Sequence, residues 1–271
     1  MAHTLIEFTK MHSSGNDYIY VNVIKYPLAN PAELSVRWSA AHTGIGSDGL
    51  VLIGASAVAD FSMRMFNSDG SEARMCGNAA ICVGKFLYDK KLTRSTDVTL
   101  ETLSGVRELR LHVSDGAVHN VTVNMGRPYI RDLDMAVQSA AVSVIGAAIS
   151  MGNPHFVIYV DDVATVGLAR VGPLIEYHSL FEDRTNVEFA HVCADGTIRM
   201  RVWERGSGVT QGCGSGACAT VVAAIARGRV PHHCVSVQMD GGTVHVQWEE
   251  SDGSAWLTGR AVSVYEGVIA V

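Results

Sequence analysis

Apolar and polar residues alternate along most of the chain, and that period predicts strands. Residues 5–8 and 18–23 read as strands on either side of a turn at 12–17. Leu34, Trp38 and Ala41 fall at helical spacing and predict a helix over 31–41. The glycine-rich segment 44–49 turns into a strand at 50–53. A strand at 60–66, a turn at 67–74 and a helix at 79–90 follow. Strands are expected at 98–101 and 106–113, around Ser104-Gly105, and at 118–124. Gly126-Arg-Pro128 reads as the crossing into a second half. The apolar, β-branched stretch 136–150 fits strand or helix, 156–160 reads as a strand, and a short helix is expected to begin over 163–168. Strands at 185–190, 198–203, 235–239, 243–248 and 255–264 complete a strand-rich second half. The class is α+β, with one long buried helix in each half.

The organising stretch is 201–228, RVWERGSGVTQGCGSGACATVVAAIARG. Gly206 and Gly208 break a β-prone run, and Gly212, Gly214 and Gly216 surround Cys213 and Ser215. The residues from 217 to 225 are almost all apolar, which predicts a helix buried on every side, stopped by Arg227 and Gly228. Cys213 therefore sits at a helix N-terminus, a position that binds anions and is expected to lower a thiol pKa. The stretch has a counterpart. FSMRMFNSDGSEARMCGN at 61–78 aligns with IRMRVWERGSGVTQGCGS at 198–215, pairing Cys76 with Cys213 at an offset of 213 − 76 = 137 residues. The same offset pairs Gly15-Asn16 with Gly152-Asn153, and Gly105 with Gly242. A constant offset over separated matches implies an internal duplication. The expected halves are 1–120, carrying Cys76 and completed by a last strand near 262–271, and 121–261, carrying Cys213.

Length and composition narrow the function. The 271 residues are 48% hydrophobic and 18% charged, as in an ordinary globular enzyme. The net charge of −6 gives no electrostatic case for nucleic acid. The first residues lack a signal peptide's charged and apolar regions, and apolar runs of about ten residues are too short to span a membrane. Six cysteines without a secretory signal suggest reduced thiols in a cytoplasm.

Two cysteines at equivalent helix starts suit inversion at a carbon centre. One thiolate removes a proton from one face and one thiol returns a proton to the other, facing it across a pseudo-twofold axis. A free thiol pKa of about 8.5 lies close enough to working pH for both tasks. Helix dipoles and bare amides would hold a carboxylate and spread the carbanion's charge. The competing reading, that both are small buried hydrophobes, fits poorly with their glycine-rich turns; Cys82 and Cys218, deeper in the helices, read as core. Neither a metal nor another cofactor is expected. There is no CxxC, Pro231-His-His-Cys234 is a lone cluster, and GIGSDG at 44–49 precedes a strand where the dinucleotide fingerprint would follow one.

On these residues the sequence resembles the diaminopimelate epimerase family over essentially its whole length. The resemblance rests on GNDY at 15–18, GIGSDGL at 44–50, FNSDGSEARMCGN at 66–78, SMGNPH at 150–155, RTNVEF at 184–189 and WERGSGVTQGCGSGA at 203–217. It implies a cytoplasmic isomerase, independent of pyridoxal phosphate, that interconverts LL- and meso-diaminopimelate in bacterial lysine and peptidoglycan-precursor synthesis. It also implies two pseudo-symmetric α/β domains with the active site in the cleft between them. Cys76 and Cys213 would be the acid and base. Backbone amides of Gly77, Asn78, Gly214 and Ser215 would cradle the carboxylate at the reacting carbon. Asn16, Asn67, Asn153, Asn186, Glu204 and Arg205 match substrate-binding positions, the Glu/Arg pair suiting a distal zwitterionic head, and His155 would stand behind the site. The chain departs from the family pattern at Ala79 and Ile81, commonly glycine and arginine, at Gly212, usually alanine, and at Gly49, a glutamine in some members.

The expected partner is a small-molecule amino acid, not nucleic acid or membrane, and a homodimer is left open. Two other readings compete. One is an epimerase or racemase of the same fold acting on proline, hydroxyproline or histidine; these need no distal zwitterion site, so Glu204-Arg205 with Asn67 and Asn186 weigh against it. The other is a non-catalytic binding protein, which would be expected to have lost one cysteine.

Overall fold

The computed structural model describes residues 4–231, 233–249 and 251–271. They divide into two compact units, one of residues 4–123 with 259–271 and one of the described residues between 124 and 258.

In the first unit β1 (Leu5–Ser13) turns back into β2 (Asn16–Asn22). The turn is tighter than the 12–17 expected. Ser14 (φ 51°) and Gly15 (φ 79°) are both left-handed, and a two-residue turn of that kind matches the strand twist and lets His12 face Asp17. Next come α1 (Pro31–Ser39) and β3 (Gly49–Gly54), which runs parallel to β2 and is buried along its whole length. β4 (Phe61–Asn67) is antiparallel to β3, and the two-residue β5 (Glu72–Ala73) folds back on it. Then follow α2 (Gly77–Asp89), β6 (Asp97–Thr102), β7 (Gly105–Ser114) and β8 (Ala117–Gly126). Period-two alternation gives the sheet two covered faces. Ile19 and Val21 join Leu34 and Trp38 of α1 in one core, while Tyr20 between them stacks on Phe86 of α2.

The second unit holds β9 (Tyr129–Gln138), β10 (Ser143–Ser150), β11 (Pro154–Tyr159), a 3₁₀ turn (Val163–Thr165) and α3 (Leu168–Glu176). It continues with β12 (Asn186–Val192), β13 (Ile198–Glu204), β14 (Gly208–Thr210) and α4 (Gly214–Ala226). β15 (Cys234–Met239), β16 (Gly242–Trp248) and β17 (Ala255–Arg260) follow. β18 (Val262–Ala270) returns to the first unit and pairs antiparallel with β1, from Leu5 opposite Ala270 to His12 opposite Val262.

The two units repeat one another in register as well as in element order. Leu50 faces Phe66, and Val187, at the 137-residue offset, faces Trp203. Phe66 faces Glu72, and Trp203 faces Val209. The parallel pair Phe61–Leu100 matches Ile198–Val237, and both long helices, like α1 and α3, start and end at equivalent positions. Phe156, Val187 and Phe189 pack with Leu168 and Ile175 of α3, as their equivalents pack with α1.

Three expectations need correction. The stretch 136–150 is the end of one strand, a bend and a second strand. Ser139 Oγ accepts from the amides of Ala141 and Val142 and bends the chain between β9 and β10. At 163–168 there is only a 3₁₀ turn, capped by the Asp162 side chain; the α-helix begins after Gly167. The run 255–264 is two strands separated at Ala261, β17 and β18.

Candidate active site

In the first unit Cys76 is the N-cap of α2, with an extended backbone (φ −139°, ψ 122°). Its side chain is half-buried, and the thiol donates to Asn16 Oδ1 at 3.7 Å. Asn16 opens β2, directly after the left-handed turn, so the hairpin delivers its amide to the helix start. Asn16 Nδ2 and the Asp17 amide both donate to Asp48 Oδ2, at 2.9 and 3.0 Å. Gly77 and Asn78 form the first, buried turn of α2, and Asn78 Oδ1 has no partner among the described residues. Asn67 ends β4 and donates to Ser71 Oγ at 3.0 Å within its own turn.

In the second unit Cys213 is the N-cap of α4 with nearly the same backbone (φ −128°, ψ 114°), but it is buried. The Gly216 amide donates to its Sγ at 3.4 Å, and Ser215 Oγ lies 3.5 Å from the sulfur. Asn153 Nδ2 reaches Ser215 Oγ at 3.4 Å. Glu204, at the end of β13, hydrogen-bonds both the Cys213 thiol and the Thr210 hydroxyl. Behind these, fully buried His155 Nδ1 lies 2.7 Å from Glu188 Oε1.

Burial pushes the Cys213 thiol well above its ordinary value, and the carboxyls of Glu204 and Glu188 push it further. The hydrogen bonds from Ser215 and Gly216 oppose this and lose. Desolvation and two carboxyls therefore act against the lowering expected from the helix terminus. Burial also raises Glu204, against the hydrogen bond from Thr210.

Glu204 and Arg205 engage different partners, because consecutive residues at a strand end point to opposite sides. Arg205 Nη1 donates to the Asp183 carbonyl at 2.8 Å. Its backbone amide donates to Asn186 Oδ1 at 3.0 Å, and Asn186 Nδ2 is held by the Pro154 carbonyl at 2.9 Å. The loop behind Arg205 is clamped by Glu176, buried at the end of α3. That carboxyl accepts from Trp203 Nε1 at 2.7 Å, the Gly206 amide at 3.1 Å and Arg184 Nη1 at 3.3 Å.

Within the first unit the structure thus brings Asn16 to Cys76, and within the second it brings Ser215 and Glu204 to Cys213, with Asn153 on Ser215 and His155 on Glu188. Asn67 makes its bond inside its own turn. Sequence reasoning missed Asp48, Glu176, Glu188 and Thr210. Glu188 carried a usable signal, since an acid in the apolar strand Val-Glu-Phe-Ala needs a partner when buried. Among the described residues no group of three or more His, Cys, Asp or Glu could hold a metal, and no helix is long and apolar enough to cross a membrane. His232, in the cluster at 231–234, lies outside the described residues.

The fold is shared widely. A hydroxyproline epimerase from Agrobacterium vitis superposes with a TM-score of 0.76 at 18% identity, covering 98% of this chain and 93% of that one. A phenazine biosynthesis protein of the PhzF family from Bacillus anthracis gives 0.76 at 14% identity, covering 99% and 100%. At such identities the likeness concerns the fold alone. Sequence relatives are much nearer. The diaminopimelate epimerase of Parabacteroides distasonis is 56% identical over 98% of both chains, and that of Bacteroides thetaiotaomicron is 53% identical over 97% of this chain and 98% of its own. The sequence profile described as diaminopimelate epimerase matches residues 8–130 and 147–264, taking in both cysteine motifs. With a duplicated fold, a cysteine capping the long helix of each unit, and relatives more than half identical along nearly its whole length, the chain belongs to the diaminopimelate epimerase family.

Proposed function

We propose that the chain interconverts LL- and meso-diaminopimelate without a cofactor, one thiol serving each face of the reacting α-carbon. The observation that carries this reading is the repeated cap: Cys76 and Cys213 sit on matching backbone at the starts of two 13-residue buried helices. A thiolate takes the α-proton, and the other thiol delivers a proton to the opposite face. One proton leaves the substrate and one enters, so the enzyme ends with thiol and thiolate exchanged, ready for the reverse isomer. Burial and two carboxyls favour the thiol form of Cys213, which suits it to the donor's part in one direction of the reaction. The charge left on the α-carbon spreads into its carboxylate. The amides of Gly77-Asn78 and Gly214-Ser215 are suited to hold that carboxylate, because first-turn N–H groups lack helical acceptors and point outward.

Arg205 is proposed to grip the distal carboxylate with two parallel hydrogen bonds. Asn186, which fixes the Arg205 backbone, would join Asn67 and Asn153 in binding the rest of the distal head, with Asn16 and Glu204 beside the thiols. The partner is a small amino acid in a cytoplasm. A homodimer belongs to the same proposal, supported by Val264, Tyr265 and Val268, exposed on β18; light scattering of the purified protein reads it directly. The deciding experiment incubates protein with LL-diaminopimelate in heavy water. The expected result is α-deuterated meso product, undiminished in chelator. Faster racemisation of proline or histidine than of diaminopimelate would overturn the substrate assignment.

A further inference from the structure

We infer that Glu188 is a positioning residue for Cys213: its buried carboxyl anchors His155 through Nδ1 and, lying against Gly216, holds the first turn of α4 beneath the sulfur. The inference deepens the proposed function and rests on it. β12 is buried over Asn186–Ala190; Val187 and Phe189 pack into the core shared with α3, so alternation turns Glu188 toward α4. There its carboxyl is so close that a Cβ at Gly216 would sit 2.5 Å from Oε1. Gly216 in turn supplies the amide that donates to Cys213 Sγ. Glu188 therefore touches both the histidine behind the thiol and the backbone that fixes it.

The first unit shows that the fold does not require this. At the equivalent register, Val51 faces Met65 as Glu188 faces Val202. His155 becomes Tyr18 and Gly216 becomes Ala79, whose Cβ occupies the place that Glu188 denies to residue 216. The first unit packs these positions with Tyr18, Val51 and Ala79, while the second keeps a carboxyl and an imidazole, of which Glu188 Oε2 and His155 Nε2 have no hydrogen-bond partner among the described residues. Burying such atoms costs stability, which argues that they are retained for what they do to the site.

The titratable groups acting on Cys213 are Glu204 from β13 and Glu188 from β12, with His155 from β11 against Glu188; β10 contributes no titratable residue. Cys218 lies buried within α4, and Cys234 and His245 of β15 and β16 are exposed. Glu188 is among the carboxyls that raise the thiol.

The test uses the full chain carrying Cys76→Ser, iodoacetamide as probe, and peptide mass spectrometry to follow alkylation at Cys213 alone. Glu188→Gln keeps the shape and a carbonyl acceptor for His155 but removes the charge. Its alkylation midpoint should fall by roughly one pH unit, while Glu188→Asp, which keeps the charge, should stay nearer the parent. In the chain with Cys76 intact, Glu188→Gln should lower kcat on LL-diaminopimelate about tenfold with KM changed less than about twofold. A midpoint unmoved by Glu188→Gln overturns the inference. If that variant does not fold, nitrogen NMR of the wild-type histidines decides: His155 protonated at Nδ1 supports the anchor, and a bare Nδ1 with protonated Nε2 overturns it. The alkylation and NMR readouts do not use diaminopimelate, so a wrong substrate assignment would leave both standing and would touch only the kcat measurement.

Discussion

Cys76 and Cys213 cap equivalent helices but meet different surroundings. Cys76 is half-buried beside an asparagine, in a unit that offers Tyr18, Val51, Asn67 and Ala73 at four positions of the shared register. The same positions around Cys213 hold His155, Glu188, Glu204 and Thr210, and the thiol is buried and raised. Duplication has fixed the place of each sulfur at a helix start; the side chains projecting from matching strand positions give the two thiols different surroundings, and around Cys213 they raise the thiol.

The largest effect expected from breaking the comparison is on turnover. Cys76→Ser and Cys213→Ser should each reduce epimerisation by about 10²–10⁴-fold, because a serine hydroxyl is a poor acid or base near neutral pH. Each remaining thiol should still labilise the proton on its own face, so the two variants should exchange different isomers with heavy water. Identical isomer preference in the two variants would refute the division of labour.

A smaller effect separates the packing behind the two sites. Glu176 and Arg184 are paired, and their equivalents Ser39 and Ser47 are hydrogen-bonded at 3.0 Å. Glu176→Ala leaves the Trp203 and Gly206 donors unsatisfied and should cost about 3 kcal/mol in denaturant unfolding. Ser39→Ala should cost about 1 kcal/mol. Equal costs would mean that the acidic clamp adds nothing to the shared contact.

The alkaline limb of stability should also be uneven between the units. Burial raises the thiols of Cys82 in the first unit and Cys218 in the second to about 12, and Cys213 is raised too. A raised thiol contributes stability that is complete below its unfolded pKa, about 8.5, and is lost as pH climbs toward the folded value. Each such thiol should steepen the loss by about 1.4 kcal/mol per pH unit above that point. Cys82→Ala should flatten the slope by one thiol and the Cys213→Ala, Cys218→Ala double variant by two. Equal flattening would show that Cys213 ionises as freely in the fold as outside it.

Much of this was legible in the chain. Alternation located the half-buried strands, and the constant offset disclosed the duplication before any register was known. β9 escaped because Arg131 and Asp132 break its first half and leave it exposed, so the alternation of Leu133, Met135 and Val137 covers too few residues to mark a strand. β5 and β14, two and three residues long, are too short to carry a period. The Cys213 environment was unreadable for another reason. Glu188 and Glu204 lie on strands 25 and 9 residues upstream of the cysteine, and only sheet register brings their carboxyls to one helix start. The linear motif shows the dipole and hides the desolvation.

Glu204 offers the finest test of the comparison, because its equivalent, Asn67, is already a neutral amide. Burial raises the Glu204 carboxyl, so its neutral form is the one the fold favours. A group raised in this way contributes stability that is complete below its unfolded pKa, about 4.3, and is lost as pH rises through the folded value. At pH 7 the folded chain therefore bears a cost that an amide would not. Glu204→Gln should stabilise the protein by about 1 kcal/mol at pH 7, a modest figure because the residue is partly exposed, and by nothing near pH 4. The same change removes the largest carboxyl contribution to the Cys213 thiol. Alkylation at Cys213 should then begin at lower pH, and turnover should fall as the thiol becomes a readier thiolate and a poorer partner for the Cys76 side. Urea unfolding at the two pH values measures the first expectation, and alkylation with kcat measures the second. A variant that gained stability equally at pH 4 and pH 7 would show that the cost came from packing and not from charge.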